Sequence, residues 1–537
     1  MLLADKFRTP KSYLLVPPEA TPNGPLHLGH IGGPFLWSDM ISRHLRARGD
    51  LPLVITGSDV YESAVDVRAH AEGSDPAEIA DRYGERMQRD LASFSIDVDA
   101  YISPHHDEWR SLFENEVASS VGRLMQRGAV LARSERVPYC ESSGRWVVDA
   151  WLSGRCPACG TEMSTYFCGN CSRLVSPELL VDPRPLIDEG KLTWHEVSSL
   201  FLRLPEPARA ADCFSRMGIH QSHQKTAMNF LEKKGALLRL STPQEWGAPL
   251  PGRRPGPPQR LYSNAGIFMF ARLAGAVHGT LSGTGVNAFD PNSGVTTITT
   301  LGIDNVIATL VGIVGLSFLH GDMKPYQRCL INHFYQLAGE KFSTSTRHAI
   351  WAGEIAAAPS IDVDAVRYHL AKKDLSDAPA SFEVADFLTT AHTELADRLG
   401  SLIEKAWNRL PDRLPGSPGS LLAEFLELRF AEQSAALDSA RISTTKAVSE
   451  FDRWCTEAAA MASSDADGAY WWLKGVALLA FPVMPNLASQ IWQELGCAGE
   501  PRLATFLVPT LPRPSRNPPG FNRVKIEELR SCLPPTM

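Results

Sequence analysis

Residues 21–30 read TPNGPLHLGH, and residues 341–345 read KFSTS. The first stretch follows an apolar run at 13–17 (YLLVP) with the look of a short buried strand. It precedes a segment of helical spacing, 29–49, closed by Gly49. His27, Leu28, Gly29 and His30 therefore stand where a first strand turns into a helix. The Asn23-Gly24-Pro25 turn before them lets the backbone come close to a ligand. A helix N-terminus carries unpaired N–H groups and partial positive charge, which favour phosphate oxygens. Two imidazoles one turn apart in that place can donate hydrogen bonds to a phosphate whose charge grows in a transition state. An H-x-x-H alone is more often ordinary structure or a metal pair, so the reading leans on Lys341 and on what lies between. Together the two stretches read as the ends of a site that splits ATP.

What lies between has the rhythm of an α/β domain. A second strand, 53–57, leads into Ser58-Asp59, and helical patterns follow at 76–94 and 109–128. Strands alternating with helices of this length predict a parallel, doubly wound sheet, whose ligands bind beyond the carboxyl ends of its strands. The composition shifts at Val137, and from there to about Arg184 the chain is short-stranded, loop-rich and cysteine-bearing, an insertion in that fold. The stretch 249–259 (PLPGRRPGPPQ) predicts a surface loop, and 301–345 returns to the sheet pattern. From Asp362 onward the pattern predicts helices only, at 382–410, 420–459 and 467–495, which is a helix bundle. The tail from Leu511 is expected to pack back on the body.

Within the insertion, Cys156-Pro-Ala-Cys159 and Cys168-Gly-Asn-Cys171 form C-x2-C-x8-C-x2-C. Each C-x2-C turn aims two thiolates at one point, and two such turns complete a tetrahedral Zn²⁺ site. Duplicate disulfides across such pairs are a poor alternative in a reducing compartment. Four thiolates close the coordination sphere, so the metal is structural. The other cysteines, 140, 213, 329, 455, 497 and 532, are scattered singly and read as small buried hydrophobes.

A net charge of −7 gives no global field that draws in nucleic acid, so any RNA contact must be a local patch. The N-terminal stretch has no apolar core of signal-peptide length, and the apolar runs 306–319 and 472–485 read as too short or too interrupted to span a bilayer. The expectation is a cytoplasmic protein with no membrane partner.

His27–His30 and Lys341–Ser345 resemble the HIGH and KMSKS motifs of class I aminoacyl-tRNA synthetases. The chain resembles the methionyl type, nearest its archaeal and eukaryotic branch, where phenylalanine takes second place in KMSKS and threonine can take fourth. The resemblance runs from about Ser12 to FNRVKIEE at 521–528 and includes the zinc module and Ser176-Pro-Glu-Leu179. It implies a Rossmann-type catalytic domain in two halves, 1–117 and 226–345, split by a zinc-bearing connective insertion at 118–225. A stem-contact-like connection (346–380), an all-α bundle like an anticodon-binding domain (381–510) and the tail (511–537) would follow. It further implies ATP with Mg²⁺ and formation of an aminoacyl-adenylate; a monomer is the default expectation. His27, His30 and Lys341 would act on the phosphates. Gly29, Gly302, Asp304, Ser343 and Ser345 would line the nucleotide, and Asp59 would hold the substrate's α-ammonium.

The match weakens at the amino-acid pocket and at the RNA-reading end. Positions that line a methionine pocket in the family are Glu19, Thr21, Thr309 and Gly312 here, with a family tryptophan falling near Met269 and a family arginine at Thr242. A thioether pocket wants apolar and aromatic walls, and a desolvated Glu19 wants a cation or donor from the substrate. The family's anticodon-reading positions are Asp397, Ser401 and Lys405, and the nearest tryptophan to the expected stacking position is Trp454. The leading expectation is thus a ligase that activates an amino acid other than methionine and passes it to a small-molecule acceptor or tRNA outside ordinary translation. A genuine methionine-tRNA ligase is the alternative, and a non-catalytic nucleotide- or RNA-binding regulator a lesser one.

Overall fold

The computed structural model describes residues 8–535 except 165, 167, 169, 170, 172, 174, 188, 189, 234–236, 253–255, 343–346, 463 and 464. Among these, five parallel strands lie side by side in the order Arg328–Asn332, Thr296–Gly302, Ser12–Val16, Leu51–Gly57, Ala100–Ile102. Chain order reverses at Ser12–Val16, so the segments leaving this strand and Thr296–Gly302 part to open a crevice between them. Leu14, Leu15, Val54 and Ile55 are all buried, as expected of a sheet covered on both faces by helices. The doubly wound Rossmann-type sheet predicted from the alternation is present.

The first helix is not the single α-helix expected over 29–49. Leu28–His30 forms one turn, Ile31–Phe35 widens into a π-helical turn, and a regular helix Leu36–Arg48 follows, closed by Gly49 at φ 92°. Pro34 causes the break, because it has no N–H to give the helical ladder. Its own carbonyl is met instead by the Thr300 hydroxyl at 2.8 Å.

The insertion is held on a long antiparallel hairpin, Val130–Cys140 with Leu192–Leu202. A small three-stranded sheet centred on Leu152–Arg155 sits at its end beside the cysteines. The hairpin is tied to the body by Arg239, which forks onto both oxygens of Glu135 at 2.6 and 2.5 Å with both side chains fully buried. Tyr166 from the insertion packs 3.7 Å from that guanidinium.

The C-terminal half is a helix bundle, with one correction. Ala380–Phe382 is a strand, paired in parallel with Tyr335–Leu337, where helices alone were expected. Three residues are too few to show a period of two. Bundle and sheet domain are locked through Arg367, which is wholly buried and donates to Asp39, Phe94 O, Val483 O and Pro482 O. The tail returns to the body: Asn522 N donates to Asp362 at 2.6 Å and Ser360 N to Glu528 at 2.7 Å. The run 306–319, expected to be too short, lies in a helical stretch Ile303–His320 whose length and mean hydropathy of 1.6 would suit a bilayer. It is mostly buried inside the protein and is a core helix here.

Candidate active site

The motif TPNGPLHLGH leaves strand Ser12–Val16 through Pro17-Pro18, whose carbonyls both accept from the Thr56 hydroxyl at 3.2 Å. Ala20 pairs with Ser58 in a parallel bridge, so the ends of two neighbouring strands deliver Glu19 and Asp59 side by side. His27 is the N-cap of the helix. Its Nδ1 accepts from His30 N, and His30 Nδ1 accepts from His27 N, each at 3.3 Å. The two rings stack with centroids 3.8 Å apart. With Nδ1 of each ring accepting, the proton of a neutral imidazole sits on Nε2, and both rings become donors there. Burial holds both imidazoles well below their usual range, His30 at about 4, with the Lys341 charge adding to it. A side chain at Gly29 would lie 2.9 Å from the His27 ring, so only glycine allows this stack.

The second motif closes onto the first. Lys341 sits on a two-residue strand paired with Gln336, its ammonium 3.8 Å above the Phe334 ring and 3.9 Å from Asp304. Phe342 is buried, and its ring stacks on His27 at 5.0 Å and on Tyr335 at 6.2 Å. One column of rings, His30–His27–Phe342–Tyr335, thus joins segments far apart in the chain. Ser343 and Ser345 lie outside the described residues.

Both motifs open on one cavity of about 530 Å³. Its wall includes His27, Gly29, His30, Gly302, Asp304 and Lys341, and also Glu19, Thr21, Asp59 and Thr309. Gly312 does not line it; Ile313 does, since Thr309 and Ile313, four residues apart in the helical stretch Ile307–Val314, share one face. Met269 is also outside the wall and wholly buried, and the same helix offers Ser263, Asn264 and Ile267 instead. Thr242 is far from phosphate chemistry: it is buried and hydrogen-bonded to Tyr166 at 2.8 Å.

Glu62 is the residue sequence reasoning missed. It follows Asp59 by one turn, accepts the Thr21 hydroxyl and faces the same cavity. Burial and the neighbouring carboxyls push Glu19 and Asp59 well above the usual carboxylate range, and burial also raises Glu62. Asp149, from the insertion, stands behind them, bonded to the Ser63 hydroxyl at 2.7 Å and raised to about 7, chiefly by burial.

A family model described as tRNA synthetases class I (M) matches residues 18–407, a span that holds both motifs, the insertion and the first bundle helix. The chain belongs to the class I (M) tRNA synthetases. Relatives include the methionine–tRNA ligase of Roseiflexus sp., 27% identical over 77% of this chain and 71% of its own. That of Thermoplasma volcanium is 24% identical over 95% of this chain and 97% of its own. Among solved structures, Mycobacterium tuberculosis methionyl-tRNA synthetase bound by methionyl-adenylate shares the fold with a TM-score of 0.71 at 18% identity, over 94% of this chain and 99% of that one.

Membership of this family bears on two further places. In the insertion, Cys156, Cys159, Cys168 and Cys171 bring their sulfurs within 4.8 Å of one another, with pairs at 3.7 and 3.6 Å. Tetrahedral Zn–S bonds of about 2.3 Å require sulfurs at about that spacing, so the residues fit a closed, structural Zn²⁺. In the bundle, one of the three positions matched to anticodon reading, and the tryptophan nearest the expected stacking place, are engaged within the protein. Asp397 is paired with Arg523 of the tail, and Trp454 is wholly buried, its indole N–H donating to Trp472 O at 3.2 Å. An indole buried in this way offers no face to a base.

Proposed function

We propose that this ligase uses ATP to activate the carboxyl group of an amino acid. The carboxylate oxygen attacks the α-phosphorus, the bond to the β-phosphate oxygen breaks, and pyrophosphate leaves as the aminoacyl-adenylate forms. The carrying observation is the ring column, which sets two Nε2–H donors and the Lys341 ammonium around one end of a single cavity. These donors stabilise the charge growing on the phosphates, and because the imidazoles are held neutral they do so as hydrogen-bond donors. Mg²⁺ would arrive with ATP as its counter-ion. Gly302 and Asp304 would face the nucleotide and Asp59 the α-ammonium, a charge-assisted bond.

The substrate has two readings, each with its own support. Methionine with its tRNA is supported by the relatives, which carry that name over most of their length. A different amino acid, passed to an acceptor outside translation, is supported by the carboxyl-lined pocket and by the buried Trp454. The test is ATP–pyrophosphate exchange over methionine and the other standard amino acids, with and without tRNA. His27→Ala and Lys341→Ala should each lower exchange by about two orders of magnitude. Exchange unchanged in both variants overturns the adenylation reading and leaves a nucleotide-binding regulator. Methionine as the clear winner, with transfer to its tRNA, decides for the first substrate reading.

A further inference from the structure

Three carboxyls, Glu19, Asp59 and Glu62, share one end of the cavity, and among the described residues no arginine or lysine forms an ion pair with any of them. The Glu62 carboxyl accepts the Thr21 hydroxyl, whereas among the described residues the Glu19 and Asp59 carboxyls accept no hydrogen bond. Arg239, the cation that reaches the Asp149 carboxyl behind them, is committed to Glu135. Thr309 adds an independent sign of a ligand. It is 5% exposed, it lines this cavity, and among the described residues its hydroxyl has no hydrogen-bond partner.

An amino acid with a neutral side chain brings one ammonium to this wall. One carboxylate is then answered, and the others must stay protonated or sit uncompensated out of water, which is costly. A second ammonium on the side chain answers another carboxylate, and the Thr309 hydroxyl can accept one of its protons. Methionine's thioether can do neither. We propose that the amino-acid end of this cavity takes an α,ω-diamino acid, its α-ammonium and its side-chain ammonium each on a carboxylate of the Glu19–Asp59–Glu62 set. With Asp59 on the α-ammonium, Glu19 beside it faces the side-chain ammonium; both also border a smaller recess walled by Phe113, Leu261 and Phe270. The proposal rests on the adenylation reading for what happens at the substrate's carboxyl end, but the binding preference stands apart from it.

Matched pairs that differ only by the terminal ammonium test it on the full-length protein: lysine against norleucine, ornithine against norvaline, and 2,4-diaminobutyrate against 2-aminobutyrate, with methionine alongside. Two readouts are needed, kcat/KM for pyrophosphate exchange and Kd by calorimetry with a non-hydrolysable ATP analogue present. In at least one pair the diamino member should lead by about 10- to 100-fold in both, the range of a charge-assisted hydrogen bond. Glu19→Gln should bring that ratio toward one. Neutral members or methionine binding as well as the diamino acids overturns the proposal, as does a ratio unmoved by Glu19→Gln. If no amino acid supports exchange while the pairs still separate in Kd, the adenylation reading fails and the diamino pocket stands. Exchange that runs best with methionine or a neutral member gives the reverse.

Discussion

Replacing Phe342 with leucine asks whether the ring column sets the catalytic geometry. The phenyl ring stacks on His27 at 5.0 Å and 18° and on Tyr335 at 6.2 Å and 11°. Aromatic pairs contribute about 0.5–1.5 kcal/mol each beyond burial, so Phe342→Leu removes about 0.5–1.5 kcal/mol from the stack that holds His27 in place. Leucine keeps most of the apolar volume, so the stability cost should stay below the about 3–5 kcal/mol of a phenylalanine truncated to alanine, and the variant should fold. If the alignment of His27 matters only as charge builds on the phosphates, the loss falls on kcat. Its size converts to about a 2- to 13-fold drop in pyrophosphate exchange with little change in KM for ATP. The assay is exchange on the best amino acid, beside a thermal melt. A folded Phe342→Leu protein that exchanges at the wild-type rate refutes the argument and reduces the column to ordinary packing.

Glu135→Ala should destabilise the protein by about 3–5 kcal/mol, read as a lower denaturation midpoint, because it strands the Arg239 charge between the Tyr166 and Phe201 rings. Cys159→Ser should lower bound zinc from about one ion per chain, measured by elemental analysis, and loosen the insertion to proteolysis; a variant with full zinc content would count against the four-thiolate site. His44 is wholly buried against Ser434 of the bundle, and burial together with Arg48 lowers its pKa to about 3. The folded state therefore binds fewer protons than the unfolded one between about pH 6.5 and 3, so this stability is full above pH 6.5 and drains as pH falls, by about 1.4 kcal/mol per unit. In a His44→Gln variant the slope of stability against pH over that window should be shallower by one proton; an unchanged slope would show that His44 does not titrate this way.

The spacing of strands and helices was enough to place a parallel sheet, and the two short motifs expected to share a site at its carboxyl edge do line one cavity. Those signals are local: an Asn-Gly-Pro turn, histidines one turn apart, cysteines at C-x2-C spacing. Glu19 could be suspected from the sequence, since it stands two residues before a motif in a position where a carboxylate is out of place. Glu62 could not. Nothing in its neighbourhood distinguishes it from a surface glutamate until the Ala20–Ser58 bridge brings two strand ends together and turns it toward Glu19.

The sequence by itself determined which chemistry-bearing groups this protein has and, through periodicity, the layers that carry them. Tertiary structure alone decided which of those groups meet. Phe342 meets His27 across the sheet edge, Asp149 comes from the insertion to stand behind Asp59, and Thr309 rather than Gly312 faces the cavity. It also decided that Trp454 and Asp397 are engaged within the protein. The reason is physical. Propensity and spacing act over a few residues, whereas a carboxylate's partners, a ring's neighbours and a side chain's burial depend on segments hundreds of residues apart, and only packing brings those together.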